Sequence, residues 1–347
     1  MRIADLTIHD VAFGGKGVAR DGGKAVFVPL TIDGERVSAR IVREKKQFAE
    51  AELVEVIEPS PHRVVAPCPY FGRCGGCSYQ HVSYDHQLAL KQKQVDQAMR
   101  RIARLNDPPM RPIVPSPLPY SYRNRITVHV EEGVVGFFRR DVHQLMDIVE
   151  CPISMPEVNE ALTQLRATQP VDGHYTLRAH SGPRVFAQTN DGVADAMAHF
   201  IGSVLTGDSE LLIDAFCGAG FFAKRLAPQF QRVIGIDWDR FAIDAARKET
   251  RPNETYIAGD VAVELAKAST TSHDLIVDPP ATGLTAEMRH AILDSPPRTM
   301  IYVSCNPPTL ARDLAELQSR FTIVSITPFD MFPQTAEIEV VAELRRI

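Results

Sequence analysis

The chain has 347 residues, 44% hydrophobic and 23% charged, which is ordinary for a globular protein and enough for two or three domains. No run of about 18 apolar residues occurs, and the opening MRIADLTIHD lacks the apolar core of a signal peptide, so no membrane association is expected and a cytoplasmic location is. The net charge of −5 speaks against a uniformly basic nucleic-acid binder, yet residues 1–180 carry 23 Lys and Arg against 21 Asp and Glu, while residues 181–347 carry 15 against 22. A phosphate grip therefore belongs in the first half, with the acidic second half left for chemistry.

Residues 1–58 read as short β runs punctuated by glycines, and their even spacing predicts a small OB-like barrel, a frequent platform for RNA. GGKG around Lys16 is not followed by Ser or Thr in the order that a phosphate-binding loop requires, and it is read as a turn. A Pro-rich connector then leads into CPYFGRCGGCSYQH, where Cys68, Cys74 and Cys77 are spaced C-x5-C-x2-C and Cys151 is available as a fourth thiol. Gly75 and Gly76 let the backbone wrap a bulky centre, and four thiolates suit either a [4Fe-4S] cluster or a tetrahedral zinc. In a cytoplasmic protein these are metal ligands before they are disulfides.

A helix is predicted over Tyr84 to Leu105, with Lys91, Lys93, Arg100, Arg101 and Arg104 as a basic patch that is either an RNA contact or a solvated helix face. A second Pro-rich stretch, NDPPMRPIVPSPLPYSYRNR, precedes a hairpin-like segment from Ile126 to Val149 turning at Glu132 and Gly133.

From about Ser181 strands and amphipathic helices alternate, which predicts a doubly wound, largely parallel sheet with ligands at the carboxyl ends of its strands. LLIDAFCGAGFFAKRLA is strand, glycine turn and helix, and Asp237 closes the next strand, where a carboxylate can accept bonds from ribose hydroxyls. That pattern alone also fits a dinucleotide-binding enzyme. Asp278-Pro279-Pro280 at the end of the fourth strand favours an S-adenosylmethionine methyltransferase instead, and Ala281 stands where amino-group methyltransferases usually place a stacking aromatic. No cysteine occupies that loop, as it does in many cytosine-C5 RNA enzymes.

Cys305 follows an apolar strand in TMIYVSCNPPTLARDL, and Glu339 lies in DMFPQTAEIEVV. A thiol and a carboxylate in one methyl-transfer domain match the chemistry of C5 of uracil, a poor nucleophile until a thiolate adds at C6; a base must afterwards remove the C5 proton. A non-catalytic iron-sulfur RNA-binding protein is the contrasting possibility, and it leaves both residues incidental.

Together CPYFGRCGGCSYQH, YRNR at Tyr122 to Arg125, FAQTN at Phe186 to Asn190, DAFCGAGFF, DPP, SCNPPTLARDL and DMFPQTAEIE resemble the RNA uracil-C5 methyltransferase family, in its branch with an N-terminal TRAM domain and an iron-sulfur cluster. The resemblance implies a TRAM barrel over 1–58, an α+β iron-sulfur domain over 59–182 and a Rossmann-like methyltransferase domain over 183–347. It also implies Cys305 as nucleophile, Glu339 as base, cofactor contacts at Gln188, Phe216, Phe221, Asp237, Asp260 and Asp278, and cluster ligation by Cys68, Cys74, Cys77 and Cys151. The implied target is a uridine of 23S ribosomal RNA, with transfer RNA as the alternative, and the implied protein is a monomer. Phe221 stands where relatives often carry Asn, Ala281 where many carry Arg, and Glu337 where a His is common.

Overall fold

A computed structural model describes residues 2–140, 142–180, 188–205, 209–269 and 272–347. Phe186 of the FAQTN run and the expected domain boundary at 182/183 lie outside the described residues. The chain forms two compact units, one of residues 1–94, 117–180 and 332–337, the other of residues 95–116, 181–331 and 338–347.

The first unit begins with six strands: β1 (Arg2–Thr7), β2 (Asp10–Val11), β3 (Lys16–Asp21), β4 (Lys24–Pro29), β5 (Arg36–Glu44) and β6 (Phe48–Glu58). They form one sheet in the order β1-β5-β6-β4-β3-β2. Alternating apolar residues, among them Leu6, Ala19, Val26, Val28, Val37 and Ile41, gather in its core. Of GGKG, Gly14 and Gly15 form the expected turn, with φ of +93° and +83°, and Lys16 and Gly17 begin β3. Gly17 is fixed by space, because a Cβ there would sit 2.0 Å from Thr31 Oγ1.

Helix α1 (Tyr84–Arg101) follows, its residues to Gln94 in the first unit and the rest in the second. It ends four residues short of the sequence-based expectation; Arg104 has φ +58°, which no helix accommodates. Strands β7 (Arg125–Glu131), β8 (Val134–Phe138) and β9 (Leu145–Asp147), helix α2 (Pro156–Ala167) and β10 (Gly173–Arg178) complete the unit. The sheet order is β10-β7-β8-β9, and the β7–β8 hairpin turns where expected, at Glu132 and Gly133, with φ +50° and +80°. Ile126, Val128, Val130 and Val135 pack on Val158 and Leu162 of α2.

The second unit contains α3 (Asp191–Val204), β11 (Leu211–Ala215), α4 (Phe221–Leu226), β12 (Arg232–Asp237), α5 (Arg240–Arg247), β13 (Glu254–Ala258), α6 (Val261–Ala268), β14 (His273–Val277), α7 (Ala286–Asp294), β15 (Thr299–Ser304), α8 (Pro307–Leu317), β16 (Phe321–Phe329) and β17 (Glu339–Arg346). Its sheet runs β13-β12-β11-β14-β15-β17-β16; the first five strands are parallel and β17 is antiparallel to both neighbours. The central strands are buried throughout, as expected of a sheet covered on both faces. Strand order reverses at β11 and β14, the position where such sheets open a crevice at their carboxyl ends.

The second Pro-rich stretch is more than a linker. Met110 and Val114 bridge to Ile326 and Phe329 of β16, and Arg111 N–H donates to the Ile326 carbonyl at 2.8 Å. The edge strand β16 is thereby covered, and Pro328, which has no N–H to give, is tolerated at such an edge.

Candidate functional site

The glycine turn after β11 is built on left-handed backbone. Phe216, Gly218 and Gly220 have φ of +67°, +53° and +82°. At Phe216 this costs roughly 1–2 kcal/mol, held in place by N–H groups of Phe216 and Cys217 that both donate to the Ile236 carbonyl, at 2.8 and 3.0 Å. Gly220 is also required by space, since a Cβ would meet Tyr256 Oη at 2.8 Å. Two carboxylates brace the turn: Asp214 accepts from Ala223 N–H at 2.9 Å, and Asp237 from Gly218 N–H at 2.8 Å. Asp214 is fully buried, and burial, joined by the charges of Asp278 and Asp237, pushes its carboxyl up to about 8. The Cys217 thiol is buried, and it is raised well above its ordinary value by burial, then by Asp214 and Asp237.

Beyond this turn lies a cavity of about 220 Å³ lined by Gln188, Phe216, Phe221 and Asp278 together with the glycine turn. Four of the six expected cofactor residues thus meet in one place. Asp237 and Asp260 do not line that cavity; they end β12 and begin α6, where Asp237 also accepts from Asp239 N–H at 2.8 Å and Asp260 caps α6 by accepting from Val263 N–H at 3.0 Å. The cavity is smaller than the roughly 300–1,000 Å³ of ligand pockets, so it suits part of an adenosyl-amino-acid ligand. The close-approach glycines and the acid at the end of β12 fit S-adenosylmethionine. Burial, then Asp237, raises the Asp278 carboxyl as well. Lys224 and Arg225 line the same cavity, Arg225 lying 3.9 Å over the Phe221 ring. Sequence reading missed both, although one helical turn from the glycine motif was the signal available.

The SCNPPTLARDL run explains itself in the fold. Asn306 caps α8 by accepting from Thr309 N–H at 3.4 Å, with Pro307 at the first helical position. Thr309 Oγ1 donates to the Ala281 carbonyl at 3.0 Å, Arg312 to the Thr282 carbonyl at 2.9 Å, and Asp313 accepts from Leu284 N–H at 2.8 Å and Tyr302 Oη at 2.7 Å. Three residues of this motif therefore fasten the loop after Asp278-Pro279-Pro280, and position 281 contributes through its backbone.

Cys305 is half-buried immediately after β15, and Glu339 is buried at the start of β17. The antiparallel register pairs Ser304 with Val340. Cys305 and Glu339 are the chain neighbours of that last pair, at the same end of β15 and β17. Glu337 is exposed and belongs to the other unit, where it lines the cysteine cavity.

That cavity, about 410 Å³, is lined by Cys68, Cys74, Cys77 and Cys151 with Tyr70, Phe71, Phe137 and Phe138. All four are free thiols. Burial raises the Cys68, Cys74 and Cys77 thiols, Cys77 to about 12, and the charge of Cys151 adds to each. Gly76 N–H donates to Cys74 Sγ at 3.4 Å. No three His, Cys, Asp or Glu side chains among the described residues form a group closed around one ion as it stands. Four thiols around one aromatic-walled cavity, with backbone N–H supplied to sulfur, nonetheless fit a sulfur-ligated centre in donor chemistry.

The expected basic patch is not one surface. Lys91 is fully buried and donates to the Phe332 carbonyl at 3.0 Å, while Lys93 and Arg100 pair with Asp10 and Asp96 at 2.7 and 2.8 Å. A different cluster forms on β7 and β10, where Arg125 pairs in register with Arg178 and, with burial first, these neighbours Arg178 and Arg123 depress the Arg125 guanidinium.

The family model for tRNA (uracil-5-)-methyltransferase matches residues 261–347, and that for the TRAM domain residues 2–54. An uncharacterized RNA methyltransferase of Bdellovibrio bacteriovorus is 31% identical, with 98% of this chain and 94% of the relative covered. The tRNA (uracil(54)-C(5))-methyltransferase of Schizosaccharomyces pombe is 29% identical over 96% of this chain and 76% of its own. The fold matches that of Pyrococcus abyssi tRNA (uracil-54, C5)-methyltransferase, crystallised with S-adenosyl-L-homocysteine, at a TM-score of 0.76 and 24% identity, covering 98% of this chain and 100% of that one.

Proposed function

Because the chain belongs to the RNA uracil-C5 methyltransferase family and carries its TRAM domain, we propose that it methylates C5 of a specific uridine in RNA through a covalent adduct on Cys305 resolved by Glu339. The observation that carries this reading is the Ser304–Val340 pairing, which brings a half-buried thiol and a buried carboxylate, each next in the chain to that pair, to the same end of the sheet.

The thiolate of Cys305 adds to C6 of the uracil, moving the C5–C6 π electrons onto C5 and O4 so that C5 becomes the nucleophile. S-adenosylmethionine supplies the methyl group that C5 takes. Glu339 accepts the C5 proton, the C5–C6 double bond reforms, and the C6–S bond breaks to return the thiolate. Gln188, Phe216, Phe221 and Asp278, with Asp237 and Asp260 beside them, would hold S-adenosylmethionine. Thr309, Arg312 and Asp313 keep the Asp278 loop in place, and Phe221 presents its face to Arg225 instead of the polar contact that an Asn would make.

Cys68, Cys74, Cys77 and Cys151 would hold a [4Fe-4S] cluster within the segment 59–182, between a TRAM segment over 1–58 and the methyltransferase segment over 183–347. Arg123, Arg125 and Arg178 offer paired positive charge for phosphate in a cytoplasmic, monomeric enzyme. The resemblance to the iron-sulfur branch favours 23S ribosomal RNA; the names of the fission yeast and archaeal relatives favour a transfer RNA. Incubation with methyl-labelled cofactor and separated ribosomal and transfer RNA, followed by digestion to nucleosides, tests both points. Labelled 5-methyluridine from either RNA supports the reading and names the target. Labelled 5-methylcytidine overturns it.

A further inference from the structure

The loop from Phe332 to Glu337 leads in two residues to Glu339, and its path is unusually constrained. Gln334, at its centre, has φ +69°, a left-handed conformation that costs a non-glycine residue roughly 1–2 kcal/mol. It is 2% exposed and bonded on every side. Its N–H donates to Gln87 Oε1 at 3.0 Å, its carbonyl accepts from the N–H groups of Ser78 and Tyr79 at 3.0 and 2.9 Å, and its side chain bonds to Gln87 and to the Pro119 carbonyl. Ala336 N–H donates to Ser78 Oγ at 2.9 Å, Tyr122 Oη to the Pro333 carbonyl at 3.0 Å, and the buried Lys91 to the Phe332 carbonyl. Strain that is over-determined in this way marks a functional position.

The clamp starts at the cysteine cavity. Ser78 directly follows Cys77, Tyr122 packs in one buried cluster with Cys77, and Glu337 lines the cavity itself. We propose that Ser78, Gln87 and Lys91 are positioning residues for Glu339, and that a centre held by the four cysteines tightens this clamp through Cys77, so that the centre governs release of methylated RNA from Cys305 and not formation of the adduct. The proposal rests on the reading of Glu339 as the base.

The mechanism separates the two steps, because only the second needs the carboxylate. In single turnover, Ser78→Ala should form the denaturation-resistant RNA adduct within about twofold of the wild-type rate and resolve it about tenfold more slowly. Lys91→Met, which keeps the volume but loses the donor, should behave alike, and Ser78→Thr should restore release. Hydrogen exchange supplies a readout without turnover: the Ala336 amide should exchange faster in Ser78→Ala and in protein stripped of metal by a chelator. Glu339→Gln is the control. If it accumulates adduct while Ser78→Ala and Lys91→Met release normally, the clamp is refuted and the base stands. If Glu339→Gln releases normally, the base assignment fails. Whatever Glu339→Gln does, Ala336 exchange unchanged by Ser78→Ala or by metal removal overturns the clamp.

Discussion

Ser304 pairs with Val340 across the antiparallel ladder of β15 and β17, which brings Cys305 and Glu339, 34 positions apart in the numbering, to the same end of the same sheet. A thiol and a carboxylate at one end of one sheet can serve one bound ring.

Glu339→Gln should therefore form the methylated adduct and fail to resolve it. A denaturing gel should show protein–RNA complex accumulating with unmodified uridine in the RNA, where the wild type shows little. If Glu337→Gln accumulates adduct and Glu339→Gln does not, the base lies two residues earlier.

The four cysteines predict colour. Protein purified without oxygen should absorb broadly near ~400 nm and contain about four irons per chain if the centre is of the [4Fe-4S] type, and Cys77→Ser should lose both. One zinc per chain in colourless protein would refute the cluster.

Asp214 gives a pH signature. Its folded value of about 8 lies above the ordinary 3.8, so the folded state favours the protonated form. Its contribution to stability is complete below about pH 4 and is lost as pH rises to about 8. Asp214→Asn imitates the neutral form and can still accept from Ala223 N–H. Its melting temperature relative to wild type should rise between pH 5 and pH 8.5, by an amount worth roughly 1–5 kcal/mol. A constant difference would mean that Asp214 is ionised in the folded protein.

Arg125→Gln and Arg178→Gln should each weaken RNA binding and reduce the salt slope of log affinity by about one if each meets a phosphate. Cofactor affinity should not change. Removal of residues 1–58 is a poorer test, since Val11 and Ile32 share a core with Tyr79, Leu90 and Ala336 and their loss would damage the clamp as well.

Much of this was legible in the sequence, where local rules decide. Strands β12 and β15 begin and end where their apolar runs do, and the Glu132–Gly133 turn is signalled by Gly133, which accepts positive φ. What depends on distant partners was not. Lys91 reads as a charge on a solvated helix face because its acceptor, the Phe332 carbonyl, lies 241 residues away. β16 continues to Phe329 through Pro328 because it is the last strand of its sheet, where the missing N–H is tolerated, and the distant segment at Met110 to Val114 covers it. That Cys305 and Glu339 come to the same end of the sheet is a matter of the Ser304–Val340 register, which no local pattern records. Thr309 and Arg312 are visible as part of a motif, but their acceptors are backbone carbonyls of the loop after Asp278.

The central claim is the covalent adduct. RNA carrying 5-fluorouridine at the target has no C5 proton for Glu339 to remove, so the adduct should persist after methyl transfer. Digestion and mass spectrometry of the trapped complex should find one cross-linked peptide, carrying the methylated fluorouridine on Cys305, and Cys305→Ala should trap nothing and lose on the order of 10³-fold or more in turnover. Methyl transfer without an adduct, or an adduct on any other cysteine, would contradict the account.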